Sequence, residues 1–173
     1  MITKQRTVLN RINRSSKKKI KILTWATHEG YQTLLGHLKN VEFYLLPHSS
    51  KGWDYHTRNL PTNHYIYTDD PSRLNVYHQY DLVLSQERGI QLPLSISIAN
   101  QIDIPLIHID HTEPYPNLND KKLEILRSYP IDINVCISEH NARTWNVKKS
   151  SWIINHGIDT NILNGWDINK FKY

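Results

Sequence analysis

Short apolar runs alternate along the chain with stretches in which apolar residues recur at helical spacing. Strands are predicted at seven apolar, β-prone segments: 20–27, 41–47, 64–69, 80–86, 104–110, 132–138 and 150–159. After a turn at Gly30, helical spacing of leucines predicts a first helix, and further helices are predicted at 92–103, 119–129 and 139–147. This alternation is typical of βαβ units. We therefore expect an α/β fold with a parallel sheet covered by helices on both faces.

Polar and ionisable side chains follow four of the predicted strands at the points where they end. The segments are "THEGYQ" after the first strand, and then "SQERG", "DHTEP" and "SEHN" after later ones. In open parallel sheets, ligands bind in the crevice beyond the carboxyl ends of the strands. The sequence therefore predicts a ligand site at this edge of the sheet.

The strand at 104–110 ends in a cluster of ionisable groups. In an extended strand, His108 and Asp110 share one face with Leu106, whereas His111 falls on the opposite face. We expect His108 and His111 to be the only histidines near each other, and they point apart, so a metal site is not favoured. Cys136 lies in the apolar stretch "INVCIS" and is predicted to be a buried, inert residue.

The length and composition favour a single domain with a hydrophobic core of its own. A chain of 173 residues is long enough to bury roughly 70% of the surface that its unfolded form exposes. Its single cysteine excludes a disulfide framework. No apolar run approaches the roughly 20 residues of a membrane span, and the N-terminal residues lack the apolar centre of a signal peptide. We therefore predict a cytoplasmic protein.

Basic residues are concentrated at the N-terminus. Residues 1–21 contain eight lysines and arginines and no acidic residue, while the whole chain carries +5, so the remainder carries −3. The segment 1–19 is predicted to be a basic arm, either a solvated leader or a segment attracted to an anionic membrane surface or to nucleic acid. Nucleic-acid recognition by the rest of the chain is not favoured, because its net charge is negative.

Several common catalytic motifs are missing. "HEGYQ" has one glycine where a dinucleotide-binding fingerprint needs three, and no Walker lysine follows it. Ser85 and Ser138 lack the Gly-x-Ser-x-Gly turn of nucleophilic hydrolases. Hydrolase chemistry is therefore a poor fit to this sequence.

The order of the segments resembles the N-terminal domain of retaining GT-B glycosyltransferases, the group that includes bacterial phosphatidylinositol mannosyltransferases and sucrose and glycogen synthases. "ILTWATHEGYQTLLGHL" looks like the first strand, glycine loop and helix of that group. "DLVLSQERG" and "IPLIHIDHTEPYP" resemble its paired pattern, in which the second segment ends in a histidine and a small hydroxyl residue. "VCISEHNARTW" and "WIINHGIDTNIL" are similar to two later segments of the same domain. The resemblance covers about residues 20–165.

This resemblance implies a Rossmann-like fold and a set of site residues. His111 would lie beside the transferred sugar as the catalytic residue, and the loop at Gly30 would approach the donor diphosphate. The substrate-binding set it implies is Glu29, Gly30, Tyr31, Gln32, Glu87, Arg88, Thr112, Glu113 and Glu139. No metal and no organic cofactor is implied, because the nucleotide-sugar is the donor substrate.

The resemblance also implies a missing partner. Residues 166–173 look like the linker to a second, donor-binding domain, so we expect the chain to be inactive by itself. That domain, or a homo-oligomer, would be its partner, and the acceptor would be a sugar, lipid or protein. Trp145, Trp152 and Trp166 are candidates for a partner-facing patch, with core packing favoured for the first two. The alternative is a non-enzymatic module that binds a sugar or nucleotide.

Overall fold

The computed structural model describes residues 19–47, 53–56, 59–67, 80–147 and 151–156. The predicted basic arm, apart from Lys19, and the predicted linker at 166–173 lie outside the described residues. Seven strands are described: β1 (Ile20–Trp25), β2 (Val41–Leu46), β3 (His64–Ile66), β4 (Leu82–Ser85), β5 (Leu106–Asp110), β6 (Ile133–Cys136) and β7 (Ser151–Ile153). Four helices are described with them: α1 (Glu29–Leu35), α2 (Gln91–Gln101), α3 (Asp120–Arg127) and α4 (Glu139–Thr144).

The strands form one sheet in the order β3-β2-β1-β4-β5-β6-β7, and every pair is parallel. Strands β4 and β6 are buried along their whole length, as expected where helices cover both faces of a parallel sheet. The predicted α/β class is confirmed, and the order is consistent with a Rossmann-like fold. All the carboxyl ends of the strands lie at the same edge of the sheet.

The hydrophobic core lies on both faces of the sheet. On one face, Tyr31 and Leu35 of α1 pack against a cluster that includes Phe43 and Leu45 of β2. On the other face, α2 contributes Leu92, Ile98 and Ala99 to a cluster with residues of β1, β2, β4 and β5. A smaller cluster joins α3 and α4 to the end of β6. Burial of these alternating apolar positions is the main stabilising contribution to such a fold.

Each strand and helix predicted within the described residues is present, although most of the strands are shorter than predicted. Within the described residues, the predicted strand at 150–159 ends at Ile153, because its partner β6 ends at Cys136. One further described backbone bond, from Ile154 N–H to the Cys136 carbonyl, continues the pairing. Cys136 is buried, as predicted, and burial raises the pKa of its thiol. No helix among the described residues has the length and apolar character needed to cross a membrane.

The three tryptophans proposed for a partner-facing patch have different environments. Trp145 is buried beside α3 and α4, as predicted. Trp152 is 45% exposed, so the prediction that it packs in the core is wrong. It lies on β7, which is the last strand of the described sheet and pairs there with β6. Trp166 lies outside the described residues.

Candidate functional site

Three histidines and a tyrosine meet beyond the carboxyl ends of the strands. The His111 ring centroid lies 4.8 Å from that of His28 and 5.2 Å from that of His156. Tyr31 contacts His111 edge-on at 4.6 Å and stacks on His156 at 4.9 Å. His111 Nδ1 and His156 Nε2 are 3.2 Å apart and share a hydrogen bond. We call these four side chains the strand-end cluster.

The members of the strand-end cluster come from three separate segments of the chain. His28 follows β1 in the left-handed conformation, with φ of 50°, and directly precedes α1, which carries Tyr31. His111 is the first residue after β5, and strand alternation turns it to the face that α1 covers. His156 follows β7. The predicted opposition of His108 and His111 is confirmed, since His108 lies in the interior.

The environment of His111 keeps its ring neutral. Burial, with a smaller contribution from the nearby imidazoles of His28, His156 and His108, lowers the pKa of His111 to about 3. Its Nε2 atom is buried and has no hydrogen-bond partner among the described residues. Burial also raises the pKa of the Tyr31 hydroxyl. His111 at neutral pH is therefore an uncharged group with one ring nitrogen left to donate or accept a hydrogen bond.

A buried ion pair lies directly beneath this cluster. Arg88 donates two hydrogen bonds of 2.7 Å to the Asp110 carboxylate, and it donates others to Asn134 Oδ1 and the Leu126 carbonyl. His108 Nε2 is 3.0 Å from Asp110. Burial raises the pKa of Asp110, but the bonds from His108 and Arg88 outweigh it and hold the value at about 2.

The ion pair fixes the position of His111 along the sheet. Asp110 is the residue before His111 and is bound from both sides, by Arg88 and by His108. On the other side of His111, the Thr112 carbonyl accepts hydrogen bonds from Asn141 Nδ2 at 2.8 Å and from the Trp145 indole at 2.6 Å. The backbone around His111 is therefore anchored on both sides by buried groups.

Two residues predicted to bind substrate belong to the interior. Arg88 is 4% exposed and is committed to Asp110, with its guanidinium carbon 4.8 Å from the Trp145 ring centroid. Gln32 is fully buried; its amide donates to the Trp25 carbonyl and its oxygen is 3.0 Å from His64 Nε2. A buried polar group must find its partners inside the protein. Both side chains are therefore engaged inside the protein, and their contact with a substrate stays a prediction.

Glu87 is also engaged within the protein. Its carboxylate accepts hydrogen bonds from the backbone N–H groups of Gly89, Ile90 and Gln91 at the start of α2. A carboxylate at a helix N-terminus satisfies amides that would otherwise have no partner inside the helix. The loop after β4 therefore caps its own helix with the side chain predicted to contact a ligand.

The remaining predicted residues lie at the surface. Glu113 forms an ion pair of 2.8 Å with His140, and Glu139 forms one of 2.9 Å with Arg143; all four side chains are exposed. Thr112 is exposed as well, although its carbonyl is bonded. Glu29 and Gly30 form the first turn of α1 beside the cluster. That helix has only seven residues, so the attraction of its N-terminus for an anion is small.

His28 and His156 are members of the site that the sequence prediction left out. The expectation that only His108 and His111 would be near each other is wrong, because His111 meets His28 and His156 instead. Each of the two lies three residues after the end of its strand, β1 or β7. The strand-end rule applied to every histidine would have selected them. No group of three side chains within the described ranges has the geometry to hold a metal ion.

The strand-end cluster combines aromatic faces with the neutral, hydrogen-bonding ring of His111. Such a surface can stack against a flat apolar face and bond to hydroxyl groups, which is the chemistry that a sugar presents. A neutral imidazole can also accept a proton during a reaction. Comparison with protein-family models gives no match for this chain, and comparison with curated proteins gives none either. The functional conclusion therefore depends on these residues and their geometry.

Proposed function

We propose that this chain is the acceptor-side domain of a retaining GT-B glycosyltransferase, which transfers a sugar from a nucleotide-sugar to a sugar, lipid or protein acceptor. The observation that carries the proposal is the position of His111. It stands at the carboxyl end of β5 with an unpartnered, buried Nε2, surrounded by Tyr31, His28 and His156. In an open parallel sheet this is where ligands bind.

The second domain is part of the proposal. Stabilisation of the departing diphosphate is the largest catalytic contribution in this kind of transfer, and it needs cations or oriented N–H groups. Arg88 lies close to the site but is neutralised by Asp110, and the amides at the start of α2 are taken by Glu87. We propose that a donor-binding domain or another copy of the chain supplies these groups. The chain would act in the cytoplasm, with its basic arm at an anionic membrane surface.

The first test is sugar binding by the full chain. Saturation-transfer NMR with methyl α-D-glucopyranoside and methyl α-D-mannopyranoside should detect binding at pH 7.5. His111→Ala should weaken that binding by about tenfold or more, because a buried hydrogen bond and a stacking surface are lost together. His140→Ala is the matched control, since His140 is an exposed histidine outside the strand-end cluster. Equal binding by His111→Ala and the unchanged chain would contradict the proposed site.

The second test distinguishes an enzyme from a binding module. The chain is joined after Tyr173 to the donor-binding domain of a retaining glycosyltransferase, and transfer of radiolabel from UDP-glucose and GDP-mannose is measured. Transfer that disappears in His111→Ala supports the enzyme. Sugar binding without transfer in any combination would favour the non-enzymatic module. The supporting observation for that module is that Arg88 is bound to Asp110 and that Glu87 is bound to backbone amides at the start of α2.

A further inference from the structure

The segment that follows β7 is held to the rest of the protein by few described contacts. Its backbone is joined to β6 by one hydrogen bond of 3.0 Å, from Ile154 N–H to the Cys136 carbonyl. Trp152 and Ile154 are 45% and 53% exposed. The described side-chain contacts at its end are those of His156 with His111 and Tyr31. Within the described part of the chain, the placement of this segment therefore depends strongly on one imidazole.

We propose that the contact of His156 with His111 and Tyr31 is an acid-sensitive latch, which holds residues 154–156 against the strand ends at neutral pH and releases them in acid. The proposal is independent of the glycosyltransferase function, because it concerns access to the strand ends whatever binds there. A released segment would expose Tyr31 and His111 to solvent.

The hydrogen bond between the two rings sets the chemistry of the latch. One nitrogen must donate a proton while the other presents a lone pair, so two neutral rings or one neutral and one charged ring can form the bond. Two imidazolium rings cannot form it, because neither has a lone pair to offer. Their charges would also repel at a ring separation of 5.2 Å. Ordinary imidazoles bind a proton as the pH falls through about 6.5.

The groups that face His111 from the surrounding elements do not stabilise a positive charge on its ring. Burial and the imidazoles of His28, His156 and His108 all oppose its protonation. Asp110 favours the charged ring, but that carboxylate is already bound to Arg88. An open segment relieves this opposition by exposing His111 to water. The open state therefore binds more protons than the closed state, so a fall in pH shifts the equilibrium towards opening.

The test measures hydrogen exchange at the Ile154 amide in the full chain by NMR, at pH 7.5 and pH 4.5, with EDTA present and with exchange rates corrected for pH. We expect protection at Ile154 to fall by about tenfold or more at the lower pH. The Val83 amide, which bonds to the Pro105 carbonyl at 2.9 Å inside the sheet, is the internal reference for global unfolding. Unchanged protection at Ile154 would overturn the proposal.

A pair of variants separates the latch from general acid effects. His111→Phe keeps an aromatic ring beside Tyr31 and removes the buried imidazole that gains a proton when the segment opens, so its Ile154 amide should be protected equally at both pH values. His140→Phe removes an exposed histidine outside the cluster and should keep the full loss of protection. A loss of protection that persists in His111→Phe, with Val83 still protected, would show that the contact between His156 and His111 is not the latch.

Discussion

Removal of one partner from the buried ion pair should destabilise the fold strongly. The guanidinium of Arg88 and the carboxylate of Asp110 share two hydrogen bonds of 2.7 Å, and their side chains are only 3% and 2% exposed. Arg88→Met keeps much of the volume but leaves the carboxylate buried without its cation. An uncompensated buried charge costs about 3–5 kcal/mol. This is a large fraction of the roughly 5–15 kcal/mol that stabilises a typical domain.

The structure also predicts that the two charges are coupled. In the double variant Arg88→Met/Asp110→Leu neither charge remains, so the desolvation cost that each single variant suffers is removed. We expect the double variant to be at least ~2 kcal/mol more stable than the sum of the two single effects predicts. His108 still loses its hydrogen-bond acceptor in the double variant, so some destabilisation should remain.

The assay is urea denaturation of the full chain at pH 7, followed by far-UV circular dichroism. The slope of the free energy against urea concentration is compared among variants to check that the same surface is exposed on unfolding. Arg143→Met is the matched control, because Arg143 pairs with Glu139 at 2.9 Å on the surface and should contribute only about 0.3–0.5 kcal/mol. A loss below ~1 kcal/mol in Arg88→Met, or additive effects in the double variant, would refute the reasoning.

Three further predictions use the same denaturation assay. Burial lowers the pKa of His64 to about 4, so the unfolded chain binds more protons in mild acid; His64 should account for about 2 kcal/mol of the stability lost between pH 7 and pH 5, and His64→Gln should remove that part while the loss due to His111 and His108 remains. Stability that instead rose in acid would show that neighbouring amide oxygens hold the ring as a cation. Gly36→Ala should cost about 1–3 kcal/mol, because a Cβ there would lie 2.6 Å from Pro61 Cβ; an unchanged midpoint would contradict this. Ser138→Ala should cost about 1 kcal/mol, since the Ser138 hydroxyl caps α4, and no loss would show that water replaces the cap.

The elements of the fold were predictable because their patterns are local. Apolar runs such as those that became β4 and β6 are fully buried on both faces, and a run of this kind is typical of a parallel strand. The strict alternation of side chains in β5 was enough to separate His108 from His111. The lengths of the strands were less predictable, since a strand ends where its neighbour stops pairing, as β7 does opposite Cys136.

The composition of the site was only partly predictable because it depends on contacts between distant segments. Tyr31 and His111 were expected there, but the meeting of His28 with His111 joins the ends of β1 and β5, which are not adjacent strands. Arg88 was expected to face a ligand. Its burial follows from Asp110 on the neighbouring strand, a charge partner 22 positions away that the local sequence does not reveal.

The strand order has a consequence for the rate of folding. Strand β1 pairs with β2 through Ile20 and Val41, which are close in sequence, but with β4 through Ile22 and Leu82. Closing a loop of about sixty residues costs ~1 kcal/mol more entropy than closing one of about twenty. Contacts at this central pairing, such as Thr24 Oγ1 to the Leu84 carbonyl, should therefore form late. Parallel sheets with such distant pairings fold slowly, so the half of the sheet containing β2 and β3 should gain structure before the strand-end cluster assembles.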